Sequence, residues 1–289
     1  MKMGISKPAK YFFYSNEVFI MFLAANIQMR STTDQEENWK QLEDLLERVS
    51  KTGVKLVVTP ENTLFLGPQF HKVDIAQSIP SETTHRLGAL AKKHGVYLLI
   101  GSIAEKSPQH DSKCYNTSVF FNPSGEIIAS YQKIHLFDVD VPGGLSIKES
   151  DSIIPGKDIV VVDTEMGKIG CTICYDLRFP EMFRALADQG AEIIVVPSAF
   201  TLTTGKDHWH TLLRARAIET QCWIIAPGQW GTHDEKGIRK SYGHSLIIDP
   251  WGVVRSDCGE GIGFGVQEID LEYLRQVRNS IPVHQHRRL

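Results

Sequence analysis

One cysteine in the sequence lies where a reactive thiol would be placed, at the junction between a strand and a helix. The segment KIGCTICYDLRFPE at 168–181 is typical of a buried strand, a short polar turn and a helix that begins near Pro180, so Cys174 falls in the turn. The N–H groups at a helix start carry partial positive charge, which favours the thiolate that acts as a nucleophile. Cys174 is therefore a candidate nucleophile.

Two other interpretations of Cys174 stay open on this segment alone. A free cysteine is most often a small buried apolar residue with no chemical role. Cys171 and Cys174 also form a C-x-x-C pair, a pattern found in metal sites and in redox dithiols. Residues three apart on a strand point to opposite faces, and the sequence has no second C-x-x-C, so a metal or dithiol pair is the weaker hypothesis.

A cysteine nucleophile needs a base or a cation beside it, and two residues at strand ends could serve. Glu61 directly follows the apolar strand VKLVVTP, which places a carboxylate at the carboxyl end of that strand. Lys133, in SYQKIHLFD, follows another probable strand and could hold a positive charge against a thiolate or an oxyanion. Taken separately, either residue could also belong to a solvated loop, as could Glu149 in SIKES.

Taken together, these residues resemble the catalytic set of a known family. Glu61 in TPEN, Lys133 in YQKIHLFD and Cys174 in CTICYDLRFPE resemble, in order and spacing, the Glu-Lys-Cys triad of the carbon-nitrogen hydrolase (nitrilase) superfamily. Glu149 matches the second glutamate that many members place beside the lysine. The resemblance extends from about residue 22 to residue 288 and favours the nucleophile interpretation of Cys174.

The resemblance implies a mechanism in which Cys174 attacks the carbonyl carbon of an amide and forms a thioester. Glu61 would take a proton, return it to the leaving nitrogen and later activate water. Lys133 and the backbone N–H of Tyr175 would stabilise the oxyanion, and Glu149 would orient Lys133. Neither a metal nor an organic cofactor is required by this chemistry.

Three further segments resemble the branch that contains deaminated glutathione amidase. They are PSAFTLTTGKDHWHTLLRARAIETQCWIIAPGQWGTHDEK, SYGHSLIIDPWG and IPVHQHRR. This implies hydrolysis of deaminated glutathione to 2-oxoglutarate and cysteinylglycine, a metabolite repair reaction. The alternatives are an ω-amidase that acts on α-ketoglutaramate, a true nitrilase and, in another class, a non-catalytic thiol or metal-binding module. No substrate-binding residue is identifiable from the sequence.

The elements that would position these residues alternate along the chain, which predicts an α/β fold. The family resemblance implies a four-layer α-β-β-α sandwich that dimerises. A helix is expected around 39–49, where apolar residues recur at steps of three and four, and an irregular loop is expected between Phe137 and Asp158. Buried strands are predicted at 19–28, 54–60, 96–103, 117–122, 168–174, 191–199, 222–227, 244–250 and 263–270, and further helices at 81–94, 179–189 and 207–221.

Composition excludes several classes of protein. The chain of 289 residues is 42% hydrophobic, and its net charge of −3 offers no reason to expect nucleic acid or an anionic membrane as a partner. Its longest apolar run, eight residues from Val18, is too short to span a bilayer. The five cysteines are an odd number, which argues against a secreted disulfide framework and favours a cytoplasmic protein. We expect an extension at 1–20, one domain at 21–289 and a homodimer or higher homo-oligomer that binds a small-molecule amide.

Other polar residues near the nucleophile support weaker interpretations. Asp176 and Arg178 are expected to brace the turn that carries Cys174 rather than to react. His208 and His210 lie two apart on a predicted helix, where their side chains point in nearly opposite directions and cannot share a metal ion. The sequence therefore predicts no metal site.

Overall fold

The computed structural model describes residues 20–140 and 146–288 of the chain. The predicted extension at 1–20 lies outside these ranges except for Ile20, so the boundary at residue 21 stays a prediction. Within the ranges described, no helix is both long enough and apolar enough to cross a membrane.

Sixteen strands occur in the described part of the chain. They are β1 (Met21–Gln28), β2 (Leu56–Val58), β3 (Tyr97–Lys106), β4 (Cys114–Phe121), β5 (Ile127–Gln132), β6 (Asp138–Asp140), β7 (Ser146–Lys148), β8 (Val161–Thr164), β9 (Gly167–Cys171), β10 (Ile193–Val195), β11 (Trp223–Ala226), β12 (Trp230–Thr232), β13 (Lys240–Tyr242), β14 (Leu246–Ile248), β15 (Val254–Asp257) and β16 (Gly263–Asp270). The α-helices are α1 (Gln35–Ser50), α2 (Gln69–Asp74), α3 (Glu82–His94), α4 (Pro180–Asp188), α5 (Leu202–Thr220), α6 (Leu271–Ser280) and α7 (Val283–His286).

Twelve of these strands form two six-stranded sheets. The first has the order β16-β1-β2-β3-β4-β5 and the second the order β15-β14-β11-β10-β9-β8. Three consecutive strands are parallel at the centre of each sheet, β1-β2-β3 in the first and β9-β10-β11 in the second, and the flanking strands are antiparallel. The two sheets thus repeat one arrangement.

The two faces of the first sheet pack against different layers. Phe22 and Ala24 of β1 belong to a cluster that also contains Ile193 of β10 in the second sheet. Ala25 and Ile27, which alternate with them, pack in a second cluster with the buried residues of α1 and α3. Because successive side chains of a strand point to opposite faces, β1 is buried on both sides.

The helices complete the outer layers. In α1 the predicted stripe is buried, from Trp39 to Val49, and the Asp34 side chain caps the helix by accepting a hydrogen bond from the Glu37 N–H. Helices α4 and α5 pack on the far side of the second sheet through residues that include Phe183 and Trp209. The predicted four-layer α-β-β-α sandwich is confirmed.

The elements differ from the predicted ones in several places, and short elements such as α2, β8, β12 and β13 were not predicted. The strand predicted at 168–174 ends at Cys171, and a 3₁₀ helix begins at Cys174, because the chain there leaves the second sheet and turns towards α4. The segment between Phe137 and Asp158, predicted to be irregular, contains the antiparallel pair of strands β6 and β7. The helix α6 was not predicted, although its buried residues Leu271, Leu274 and Val277 recur at steps of three.

A glycine in β3 permits close approach of the segment that leads to Glu61. Gly101 donates its N–H to the Thr59 hydroxyl oxygen at 2.9 Å, and a Cβ at this position would overlap the backbone carbonyl oxygens of Thr59 and Pro60. The backbone of one strand therefore supports the turn that carries the carboxylate.

We expect Gly101→Ala to displace this turn, lowering the free energy of unfolding by about 3 kcal/mol and lowering kcat at the same time. Urea denaturation and amide hydrolysis measure the two effects. Gly263→Ala is the matched control, because a Cβ there meets no atom within 4 Å. Equal behaviour of the two variants would show that the close approach is unimportant.

Candidate active site

Residues from both sheets meet in one pocket of about 430 Å³. Glu61 follows β2 of the first sheet, Cys174 follows β9 of the second, Lys133 directly follows β5, and Glu149 begins a short 3₁₀ helix after β7. All four side chains line the pocket and all four residues are buried. The structure therefore brings together the four side chains that the sequence singled out.

Glu61 is held by three hydrogen bonds to its carboxylate. Its Oε1 accepts from Lys133 Nζ and from Asn116 Nδ2, each at 2.9 Å. Its Oε2 accepts from the backbone N–H of Ala199 at 2.9 Å. These contacts fix the carboxylate in one orientation against the strand ends of both sheets.

Lys133 is 2% exposed and lies between two carboxylates. Besides the contact with Glu61, its Nζ donates to both oxygens of Glu149, at 3.1 and 2.9 Å. Burial works to lower the pKa of Lys133, but the negative charges of Glu149 and Glu61 outweigh it and raise the pKa well above its ordinary value. Lys133 is therefore a permanent cation in this site.

The Glu149 carboxylate, like that of Glu61, is held in place by several hydrogen bonds. Its Oε2 also accepts a hydrogen bond from the Phe137 backbone N–H at 2.7 Å, and Asn116 Nδ2 lies 3.3 Å from its Oε1. Burial opposes ionisation of this carboxyl, yet Lys133, Lys72 and the hydrogen bonds keep its pKa below the ordinary value. Glu149 is thus a charged partner that orients the ammonium group of Lys133.

Cys174 begins its 3₁₀ helix with φ of 48°, in the left-handed region that side chains rarely adopt. Its backbone N–H donates to the Pro197 carbonyl oxygen at 2.8 Å. Burial and the adjacent Glu61 raise the pKa of the Cys174 thiol well above its ordinary value, while Lys133 acts to lower it. Desolvation and the nearby carboxylate thus oppose the thiolate that the helix start was expected to favour.

The turn around Cys174 is braced by Asp176, as the sequence predicted. The Asp176 carboxylate is fully buried and accepts hydrogen bonds from the Tyr131 hydroxyl at 2.7 Å and from the Ile173 backbone N–H at 2.9 Å. It also accepts from the His135 backbone N–H at 3.0 Å. These bonds tie the nucleophile turn to the chain next to Lys133.

Two arginines, Arg216 and Arg178, lie close to the turn that carries Cys174. The guanidinium group of Arg216 on α5 donates twice to the Leu177 carbonyl oxygen, at 3.0 and 2.8 Å, and so holds the end of the same turn. Arg178 lines the pocket and lies over the rings of Tyr175 and Phe200.

Three pocket contributions were not identified from the sequence. Asn116 bridges Glu61 and Glu149, Ala199 supplies a backbone N–H, and Lys72 lines the pocket from α2. Asparagine within a strand pattern is a weak signal of this role, and a backbone N–H leaves no trace in the residue type. These contacts could be identified only from the three-dimensional structure.

His208 and His210 do point apart. His208 Nδ1 lies 3.3 Å from Arg178 Nη1, whereas His210 Nε2 lies 3.3 Å from Asp257 Oδ2. In the part of the chain described, one group of side chains does bring three possible metal ligands within 4.8 Å of one another, and it consists of His210, His244 and Asp257. The group is partly exposed and separate from the residues that line the pocket.

A model of the family described as carbon-nitrogen hydrolase matches residues 23–279. The chain belongs to the carbon-nitrogen hydrolase family. Deaminated glutathione amidase of Synechocystis is 42% identical over 92% of this chain and 98% of its own length. The human deaminated glutathione amidase is also 42% identical, over 92% of this chain and 82% of its own.

Solved structures agree with the family assignment. Saccharomyces cerevisiae Nit3, a member of branch 10 of the nitrilase superfamily, is 31% identical, with a TM-score of 0.84 over 95% of this chain and 100% of its own. This carbon-nitrogen hydrolase is therefore an enzyme that cleaves amide carbon-nitrogen bonds, and the predicted family and reaction class are confirmed.

Proposed function

We propose that the enzyme hydrolyses deaminated glutathione to 2-oxoglutarate and cysteinylglycine through a thioester on Cys174. The observation that supports the chemistry is a buried thiol that shares one pocket with the Glu61 carboxylate and the Lys133 cation, which are hydrogen-bonded to each other at 2.9 Å. The relatives named deaminated glutathione amidase support the choice of substrate.

In the acylation step the thiol starts protonated, so a base must take its proton as the sulfur attacks. Glu61 lines the same pocket, its charge acts directly on the Cys174 thiol, and it serves as that base. The sulfur forms a bond to the carbonyl carbon, and the carbonyl oxygen becomes an oxyanion. Lys133 and the Tyr175 N–H stabilise this charge, since one of the first N–H groups of a helix has no partner within that helix.

The tetrahedral intermediate then collapses. Glu61 returns the proton to the leaving nitrogen, the carbon-nitrogen bond breaks, and cysteinylglycine departs as the free amine. Water enters, Glu61 takes its proton, and the hydroxide attacks the thioester. The carbon-sulfur bond breaks, the sulfur recovers the proton, and 2-oxoglutarate leaves.

Glu149 positions the cation in this scheme. Lys133 must stay charged and must point at the oxyanion, and two hydrogen bonds to Glu149 keep its ammonium group in place. No metal or organic cofactor takes part in the proposed steps.

The alternatives differ in the acceptable acyl donor. An ω-amidase would prefer α-ketoglutaramate, which has the same acyl group but ammonia as the leaving group, and a nitrilase would prefer a nitrile. A non-catalytic module would hydrolyse none of them.

We further propose that the enzyme is a cytoplasmic homodimer or higher homo-oligomer. The free state of all five cysteines supports the cytoplasmic location.

The test compares kcat/KM for deaminated glutathione, α-ketoglutaramate and an aliphatic nitrile. We expect deaminated glutathione to be preferred over α-ketoglutaramate by at least about 10-fold, because the cysteinylglycine portion adds contacts in the pocket. The nitrile is expected to react too slowly to measure. Equal or faster turnover of α-ketoglutaramate would replace the proposed substrate with that of an ω-amidase.

A further inference from the structure

A second lysine lines the catalytic pocket and has no part in the mechanism above. Lys72 lies on the short helix α2 and is only 5% exposed. Its side chain contributes to the same pocket wall as Glu61 and Glu149. A lysine so deeply buried is rare in proteins unless its charge has a partner.

Lys72 has no such partner among residues 20–140 and 146–288. Its side chain forms no ion pair there, and no hydrogen bond from its Nζ is found there. Glu149 and Glu61 attract it at longer range, but both carboxylates already bind Lys133. The enzyme thus keeps a buried lysine without an ion-pair partner in the described ranges, at the wall of the catalytic pocket and of a smaller neighbouring pocket.

We propose that Lys72 binds the carboxylate on the acyl portion of the substrate. This inference rests on the proposed function, because it assigns the binding partner of one end of a 2-oxoglutaryl amide. It defines the substrate class as amides whose acyl group ends in a carboxylate. The second carboxylate of deaminated glutathione, on the glycine, lies on the leaving group and is not assigned to Lys72.

The position of Lys72 fits the acyl end. In a 2-oxoglutaryl amide the carboxylate carbon lies four bonds from the reacting carbonyl carbon, a separation of about 5 Å when extended. Lys72 and the reacting groups line one pocket, and Lys72 is close enough to Glu149, Glu61 and Lys133 to feel the charge of each. Lys72 therefore lies in the same pocket as the nucleophile and within range of the charges beside it.

The electrostatics of the pocket support the same assignment. Burial lowers the pKa of Lys72, and the attraction of Glu149 and Glu61 offsets this only in part. A bound carboxylate supplies the charge that the protein does not, and it favours the ammonium form. Arg178, by contrast, already lies over two aromatic rings and is only half-buried.

The experiment measures how the preference for a carboxylate depends on Lys72. Each substrate is paired with an analogue in which a methyl group replaces the acyl carboxylate: α-ketoglutaramate with 4-oxopentanamide, and deaminated glutathione with 4-oxopentanoyl-cysteinylglycine. In wild-type enzyme we expect kcat/KM to be about 100-fold higher for the carboxylated member of each pair. In Lys72→Met this preference should fall to about 3-fold or less, through a higher KM.

The neutral analogue serves as an internal control for folding and for the catalytic groups. Its kcat/KM should change by less than about 3-fold in Lys72→Met if Lys72 acts only on the carboxylate. A parallel loss on both members of a pair would overturn the proposal and show that Lys72 only maintains the charges around Glu149. Lys72→Gln provides a second uncharged variant should the methionine variant fold poorly, and Lys72→Arg should restore part of the preference.

Lys40→Met is the matched control, since Lys40 is an exposed lysine on α1 and does not line the pocket. It should keep the wild-type preference.

A failure of the proposed substrate and a failure of the role proposed for Lys72 give different results. If α-ketoglutaramate is the better substrate, the proposed function fails, yet the carboxylate preference and its loss in Lys72→Met are still expected. If deaminated glutathione is preferred and Lys72→Met keeps the carboxylate preference, only the assignment of Lys72 as the partner of the acyl carboxylate is wrong.

Discussion

Cys174→Ala should abolish amide hydrolysis, lowering kcat by at least about 10⁴-fold. The thiol forms the covalent bond to the acyl group, and no other side chain in the pocket can replace that bond. Steady-state release of the amine product measures the loss. Intact mass spectrometry should show an acyl adduct on wild-type enzyme mixed with slowly hydrolysed substrate and none on the variant.

The matched control for this substitution is Cys171→Ala. Cys171 is a buried cysteine three residues earlier and does not line the pocket. Its replacement should leave kcat within about 3-fold of the wild-type value. If Cys171→Ala were as inactive as Cys174→Ala, a dithiol or metal pair would explain the chemistry better than a single nucleophile.

Glu61→Gln should lower kcat/KM by about 10³-fold while preserving the shape of the side chain. The thiol is protonated in the free enzyme because burial and Glu61 raise its pKa, so hydrolysis depends on a group that accepts the proton during attack. A glutamine amide cannot accept it. Kinetics with an amide substrate, together with circular dichroism to verify folding, measure the effect.

Glu105→Gln is a suitable comparison for Glu61→Gln. Glu105 in β3 is a half-buried carboxylate that accepts hydrogen bonds from Thr117 at 2.6 Å and Gln132 at 2.9 Å, but it does not line the pocket. We expect its replacement to change kcat/KM by less than about 3-fold. A Glu61→Gln variant with more than a tenth of wild-type activity would exclude Glu61 as the base.

The candidate site could be predicted from the sequence because Glu61, Lys133 and Cys174 together resemble the triad of the carbon-nitrogen hydrolase family, whereas each residue alone left other interpretations open. Glu61, Lys133 and Cys174 each stand at or just beyond the end of a strand, where side chains leave a sheet and can converge. The ends of strands and helices were less predictable. The strand expected to reach Cys174, for example, ends at Cys171. Apolar periodicity reports burial, and burial continues into the 3₁₀ helix after the strand has ended.

What the sequence alone determined is the set of reacting groups and the order of elements that carries them. What only the tertiary structure decided is how those groups affect one another. The raised pKa of the Cys174 thiol, the bridge from Asn116 to two carboxylates and the place of Lys72 in the pocket wall all depend on which strand ends of separate sheets meet. Local sequence patterns extend over a few residues, whereas these electrostatic contacts join positions far apart in the chain, so they arise only when both sheets pack together.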